Sequence, residues 1–326
     1  MPILKKTSVV FFLCTAFLAP LIWYPGLSDF SNLPQRVFLE TAGILLTLSW
    51  LATQTSSNAV SLPKLPIFTW PLLIFFCWAL FTAAFALSPY EAWKISHQWL
   101  IVILFFFLIQ QLAVTSAQRR QVFSALFTAA ILVAILGISQ HLFNLSIVPQ
   151  LVPPAANFAN KNMAVHFIVL LFPVGGFLFL TTKKTPTAWT ASLMLSLIVV
   201  YLIYTQTRAG WLAVTCQCLL FALLRRITSL NLAPLWSTQK KYALLTGLVV
   251  VLAMMNIGPA GFTPGYEAVG LRAASIASIQ GNHVRFAIWT DTISLIQQHP
   301  LIGVGLGNLK VHFPSVQKES LFIYTQ

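Results

Sequence analysis

The chain has 326 residues, 58% of them hydrophobic and only 8% charged, against roughly 25% charged in soluble domains. That composition excludes an ordinary soluble domain and fits a polytopic membrane protein. The net charge of +13 does not point to nucleic acid, because the basic residues come as small clusters between apolar stretches rather than as one patch.

Nine apolar stretches follow one another: 8–24, 36–53, 66–87, 97–114, 122–142, 163–182, 188–206, 209–225 and 242–258. Each is read as a membrane span, which takes roughly 20 residues as helix. The first follows Lys5-Lys6 but lacks a small-x-small cleavage site before Pro20, so it is read as a span rather than a signal peptide. The predicted fold class is therefore all-α, a helical bundle over residues 1–258. Cys14, Cys77, Cys216 and Cys218 lie inside apolar runs at spacings that suit neither zinc nor a redox pair, and no structural disulfide is expected.

Alternate connections carry Lys5-Lys6, Lys64, Arg119-Arg120, Lys183-Lys184, Arg225-Arg226 and Lys240-Lys241. By the positive-inside rule these face the cytoplasm. Asp29, Glu91, Glu267, Asp291 and Glu319 fall in the other set, and Glu40 lies near the outer end of the second span. Residues 259–326 are then expected outside.

Three outer features are polar. The loop 143–162 ends in Asn160-Lys161-Asn162, where the sixth span begins. These residues suit a helix cap, or, with Lys161, an anion site at a helix N-terminus. Next comes the short hinge Thr207-Arg208-Ala209-Gly210-Trp211 between two spans. Arg208 reads either as a snorkelling side chain with Trp211 as interface anchor, or as a phosphate ligand, for which the planar guanidinium is well shaped. The third feature is the segment 281–308. Phe286, Trp289, Ile293 and Ile296 share one face of a helix, with Arg285, Asp291, Gln297 and Gln298 largely off that stripe. Asn282 is the expected cap and His299-Pro300 the stop. A Gly303-x-Gly305-x-Gly307-Asn308 turn follows. Its spacing and context do not fit a dinucleotide fingerprint, so the glycines are read as a tight turn against the membrane helices.

In this order the three features resemble the O-antigen ligase superfamily, which includes lipopolysaccharide O-antigen ligases, bacterial protein O-oligosaccharyltransferases and O-antigen polymerases. The matching pieces are Phe158-Ala-Asn-Lys-Asn162, Thr207-Arg208-Ala-Gly-Trp211, and Arg285-Phe-Ala-Ile-Trp289 followed by His299-Pro-Leu-Ile-Gly-Val-Gly-Leu-Gly-Asn308. The resemblance implies a GT-C-like bundle in the bacterial inner membrane, with 259–326 the first part of a large periplasmic loop. It implies transfer of a glycan from undecaprenyl diphosphate to an acceptor hydroxyl, on lipid A core or on protein. The acceptor oxygen attacks the anomeric carbon and the lipid diphosphate leaves. Neither nucleotide cofactor nor metal is expected, and no nucleic-acid partner.

By the same resemblance Arg208 and Arg285 are the catalytic candidates, holding the diphosphate as charge develops on it. Lys161, Asn160, Asn162, Trp211 and Trp289 are the substrate-binding candidates. The family's proposed base is a histidine in a His-x-His-Asn-like motif further along the loop, and the sequence ends at Gln326 without that motif. The chain is thus expected to be the N-terminal majority of a ligase-like protein, and this form to be either active or inert for want of the base. Two alternatives stand beside the ligase: a polymerase of the same superfamily, and a membrane transporter. The span middles carry essentially no charges, which argues against ion or proton coupling.

Overall fold

The computed structural model describes residues 2–55, 67, 69–228, 236–258 and 283–317. The described chain is all-α, and each of the nine apolar stretches falls on a helix. These are α1 (Pro2–Leu18), extended by a 3-10 turn at Ala19–Leu21, α2 (Asn32–Thr55), α3 (Thr69–Ala83), α4 (Pro89–Leu112), α5 (Ser116–Phe143), α6 (Lys161–Thr181), α7 (Thr185–Thr205), α8 (Arg208–Ile227) and α9 (Thr238–Met254). Two further helices follow, α10 (His283–Gln298) and α11 (Leu309–Val316).

Among the described residues six helices, α2 and α4 to α8, are long and apolar enough to cross a bilayer. The helices α1, α3 and α9 are shorter, at 17, 15 and 17 residues.

Helix ends follow local chemistry. Thr115 and Gln118 form a reciprocal capping box at the start of α5, satisfying two backbone donors. α4 starts at Pro89, whose fixed φ suits the first helical turn, with Glu91 at the positive end of the helix dipole. α10 stops at Gln298, one residue short of His299-Pro300, as expected. The Asn282 cap lies outside the described residues.

The helices divide into two compact units, one of residues 2–46 and 113–276, the other of 47–112 and 277–326. In the first, α5, α6 and α7 enclose a core of Phe127, Ile131, Val133, Ile138, Val165, Ile168, Ile198 and Tyr201. The α5 face toward α7 is built from Ala130, Ala134 and Gly137. Such small residues let membrane helices approach closely enough for dispersion contacts to hold them, where apolar burial gains little against lipid. Outward-facing side chains such as Leu170 and Leu219 stay largely exposed, as a lipid-facing surface requires.

In the second unit α3 and α4 form a hairpin, with Phe75 against Trp99. Trp50 of α2 stands edge-on to Phe107 of α4, centroids 5.1 Å apart. The four cysteines are free and exposed.

Candidate functional site

The loop between α5 and α6 is tied to the helices around it. Gln140, buried within α5, accepts from the Ala156 amide at 2.7 Å and donates to the Ala156 carbonyl at 2.8 Å. The Tyr201 hydroxyl donates to Pro154 O, and Asn157 Nδ2 to Pro20 O. These bonds satisfy backbone groups that neither helix nor sheet pairs, which buried loops require. They also hold Ala156 and Ala159 at positive φ, 51° and 62°, a region non-glycine residues rarely visit.

The loop delivers the chain to the start of α6. Asn160 is the N-cap, its side chain accepting from the Asn162 amide at 2.9 Å. The capping role anticipated for Asn160 is thus present. Asn162 turns toward the next feature, its Oδ1 accepting from the Thr207 hydroxyl at 3.3 Å. This contact joins the first two sequence motifs across 45 residues.

The α7–α8 hinge is only Gln206 and Thr207, with Gln206 in the left-handed region at φ 50°. Gly210 lies against α6, where an added Cβ would stand 2.5 Å from Val165 Cγ1. Only glycine admits that approach. The Trp211 indole donates to Leu202 O at 2.9 Å and its ring packs on the core, so its N–H is used to fasten α8 to the end of α7. Gly210 and Trp211 therefore have structural accounts.

Lys161 and Arg208 are the first residues of α6 and α8, and neither helix has an acid in its first turn. A helix N-terminus carries positive partial charge. The Asn162–Thr207 contact brings these two helix starts, each led by a cation, together. The α8 N-cap Thr207 gives no side-chain cap. Among the described residues no group of three or more His, Cys, Asp or Glu is placed to hold a metal ion.

The third motif lies in the other unit. Arg285 is in the first turn of α10; its side chain lies outside the described residues. Phe286, Trp289, Ile293 and Ile296 are all exposed, with Phe286 and Trp289 edge to face at 5.5 Å. Asp291 and Leu295 are the buried side, so the apolar stripe points away from the rest of its unit.

The glycine turn that follows docks on the α3–α4 connection. Gly303, Gly305 and Gly307 have φ of 71°, 85° and 73°. A Cβ on Gly305 would come within 2.8 Å of Ala86 Cα, and on Gly307 within 2.8 Å of the Glu91 carbonyl oxygen. The tight turn against membrane helices is therefore present. Asn308, fully buried, completes it: its Oδ1 accepts from the Ser88 amide at 2.7 Å, and its Nδ2 donates to Ser88 O and Leu306 O. Lys310 pairs with Glu91 at 2.8 Å. The turn brings His299 and His312 to a centroid separation of 5.9 Å. From sequence Asn308 is visible only as the end of the glycine turn, and Gln140 is not singled out. The available signals are a polar residue closing a glycine run and one near the end of an apolar span.

The bundle defines a polytopic, all-α membrane protein, with two cation-led helix starts beside a tethered loop. Residues 191–325 match the family model described as O-antigen ligase. That match supports membership of the O-antigen ligase superfamily. The match takes in Arg208, Trp211, Arg285, Trp289 and the glycine turn; Asn160 to Asn162 precede it. No curated protein and no solved structure matches the chain.

Proposed function

We propose that the chain acts in glycan transfer from undecaprenyl diphosphate to an acceptor hydroxyl at the periplasmic face, as an O-antigen ligase-type glycosyltransferase. The observation that carries this is the Asn162–Thr207 contact, which ties together two helix N-termini headed by Lys161 and Arg208. The O-antigen ligase family match over residues 191–325 supports the reaction class.

Arg208 and Lys161 hold the diphosphate, and Arg285 is the second catalytic candidate within the matched segment. As the anomeric C–O bond to the diphosphate breaks, negative charge gathers on its bridging oxygen. Cations and helix termini already oriented toward that oxygen stabilise the charge without reorganising. The acceptor oxygen bonds to the anomeric carbon and its proton passes to solvent water. Asn160 and Asn162 set the Lys161 backbone in place, and Trp211 fixes the first turn of α8 so that Arg208 is held. Trp289, on the exposed apolar stripe, meets the lipid or sugar part of the donor.

The test separates donor binding from transfer. Binding of undecaprenyl diphosphate is compared with undecaprenol in nanodiscs, for the intact chain and for Arg208→Ala, Arg208→Lys and Arg225→Ala. Losing a charged hydrogen-bonding partner should weaken diphosphate binding about ten- to hundred-fold in Arg208→Ala. Arg208→Lys keeps charge but not the fork, and should fall between. Arg225→Ala should match the wild type. Equal binding of diphosphate by Arg208→Ala and wild type sinks the assignment. Glycan transfer from lipid-linked donor in membranes, scored on lipid A core and on protein, then reads the acceptor class.

A further inference from the structure

A second site lies at the opposite ends of these helices. α7 and α9 pack in parallel: Ser192 Oγ donates to Ala243 O at 2.7 Å, and a Cβ on Gly247 would stand 2.5 Å from Ser196 Oγ. Their first turns therefore lie at one level. The end of α6 joins them, because Lys240 Nζ donates to Leu180 O at 2.6 Å, with Trp236 edge-on to Phe179. Lys183, Lys184 and Lys241 are exposed at this end, and neither α7 nor α9 has an acid in its first turn.

Beside the α7–α9 seam runs an open groove of about 600 Å³, lined by Phe172, Leu195, Val199 and Leu248, with Trp236 and Lys241 at the basic end. It follows α9 from Lys241 to Val251, a rise of about 15 Å at 1.5 Å per residue. That is about half of a 30 Å hydrocarbon core, the depth of one leaflet. Its volume falls within the range of small-ligand sites.

We propose that this groove binds an anionic phospholipid of the leaflet on the basic side. One acyl chain lies along α9, and the phosphate headgroup is held by Lys183, Lys184 and Lys241. A one-leaflet groove suits an acyl chain rather than a polyprenyl chain, which is several times longer. Lysine clusters where membrane helices meet the headgroup region attract anionic headgroups, and Trp236 is placed as an interfacial aromatic.

The test is native mass spectrometry of the full chain in mild detergent, with dioleoyl phosphatidylglycerol against dioleoyl phosphatidylcholine. The wild type should retain phosphatidylglycerol preferentially. Lys183→Gln/Lys184→Gln/Lys241→Gln should lose that preference, by roughly five-fold per lysine. Leu248→Trp keeps the lysines and fills the groove, and should weaken retention of both lipids. Each variant is first checked for a monodisperse elution profile matching the wild type. Equal retention of the two lipids by wild type, a preference that survives the triple variant, or unchanged retention in Leu248→Trp overturns the proposal. So does displacement of phosphatidylglycerol by equimolar undecaprenyl phosphate, which would make the groove a polyprenyl site.

Discussion

Asn308→Ala removes the contact that fastens the glycine turn to the start of α4. The wild-type side chain accepts from Ser88 N at 2.7 Å and donates to Ser88 O at 3.2 Å, with no exposed surface. Alanine leaves the part-buried Ser88 amide without an acceptor. Each lost bond is worth about 0.5–1.5 kcal/mol and an orphaned buried donor about 1–3, so roughly 2–4 kcal/mol of local stability should go. Opening of the turn should then be about 30- to 1,000-fold more frequent. Asn308→Asp restores the acceptor for Ser88 N–H but not the donor, and should recover part of the loss. The assay is hydrogen–deuterium exchange in nanodiscs over peptides covering 82–95 and 300–311. Exchange at these peptides should rise in Asn308→Ala and less in Asn308→Asp, with α5 to α7 unchanged. Wild-type exchange at 82–95 in Asn308→Ala would refute the reasoning, because the side chain would then not be holding the connection.

The glycines of the same turn should separate by space. Gly305→Ala and Gly307→Ala meet both a positive φ and backbone within 2.8 Å, and should cost about 2–4 kcal/mol in detergent thermal unfolding. Gly303→Ala has nothing within 4 Å and should cost only the conformational penalty, about 1–2 kcal/mol. Gln140→Leu leaves the Ala156 amide without its acceptor and should lower stability by about 1–3 kcal/mol, read by the same unfolding assay. Thr207→Val cuts the link to Asn162 and should cost about 0.5–1.5 kcal/mol, with a parallel loss of diphosphate binding. Lys310→Gln should leave the unfolding temperature unchanged, since Lys310 is 62% exposed in its pair with Glu91 and such pairs contribute little.

The positions of the helices were legible because they depend on local quantities. Apolar length, the 3.6-residue period of 286–296, the Thr115 box and the His299-Pro300 stop are each contained within a turn or two of chain. Helix ends moved by several residues where a cap or proline extended the backbone beyond the apolar run, as α4 does from 97 back to Pro89. The motif residues were visible too, but their work was not. Trp211 reads equally as anchor or ligand until its indole is seen on Leu202 O. Gly210 has no marked role until Val165 is beside it.

By itself the sequence determined an all-α membrane chain and which few polar residues stand at the ends of its apolar runs. Only the tertiary structure decided which of them meet: Asn162 with Thr207, Gln140 with Ala156, Asn308 with Ser88. The last pair is 220 residues apart. In a chain this apolar almost any helix can face lipid, so burial alone does not order the packing. Directional hydrogen bonds and close glycine contacts select the neighbours, and neither leaves a periodic trace in the sequence.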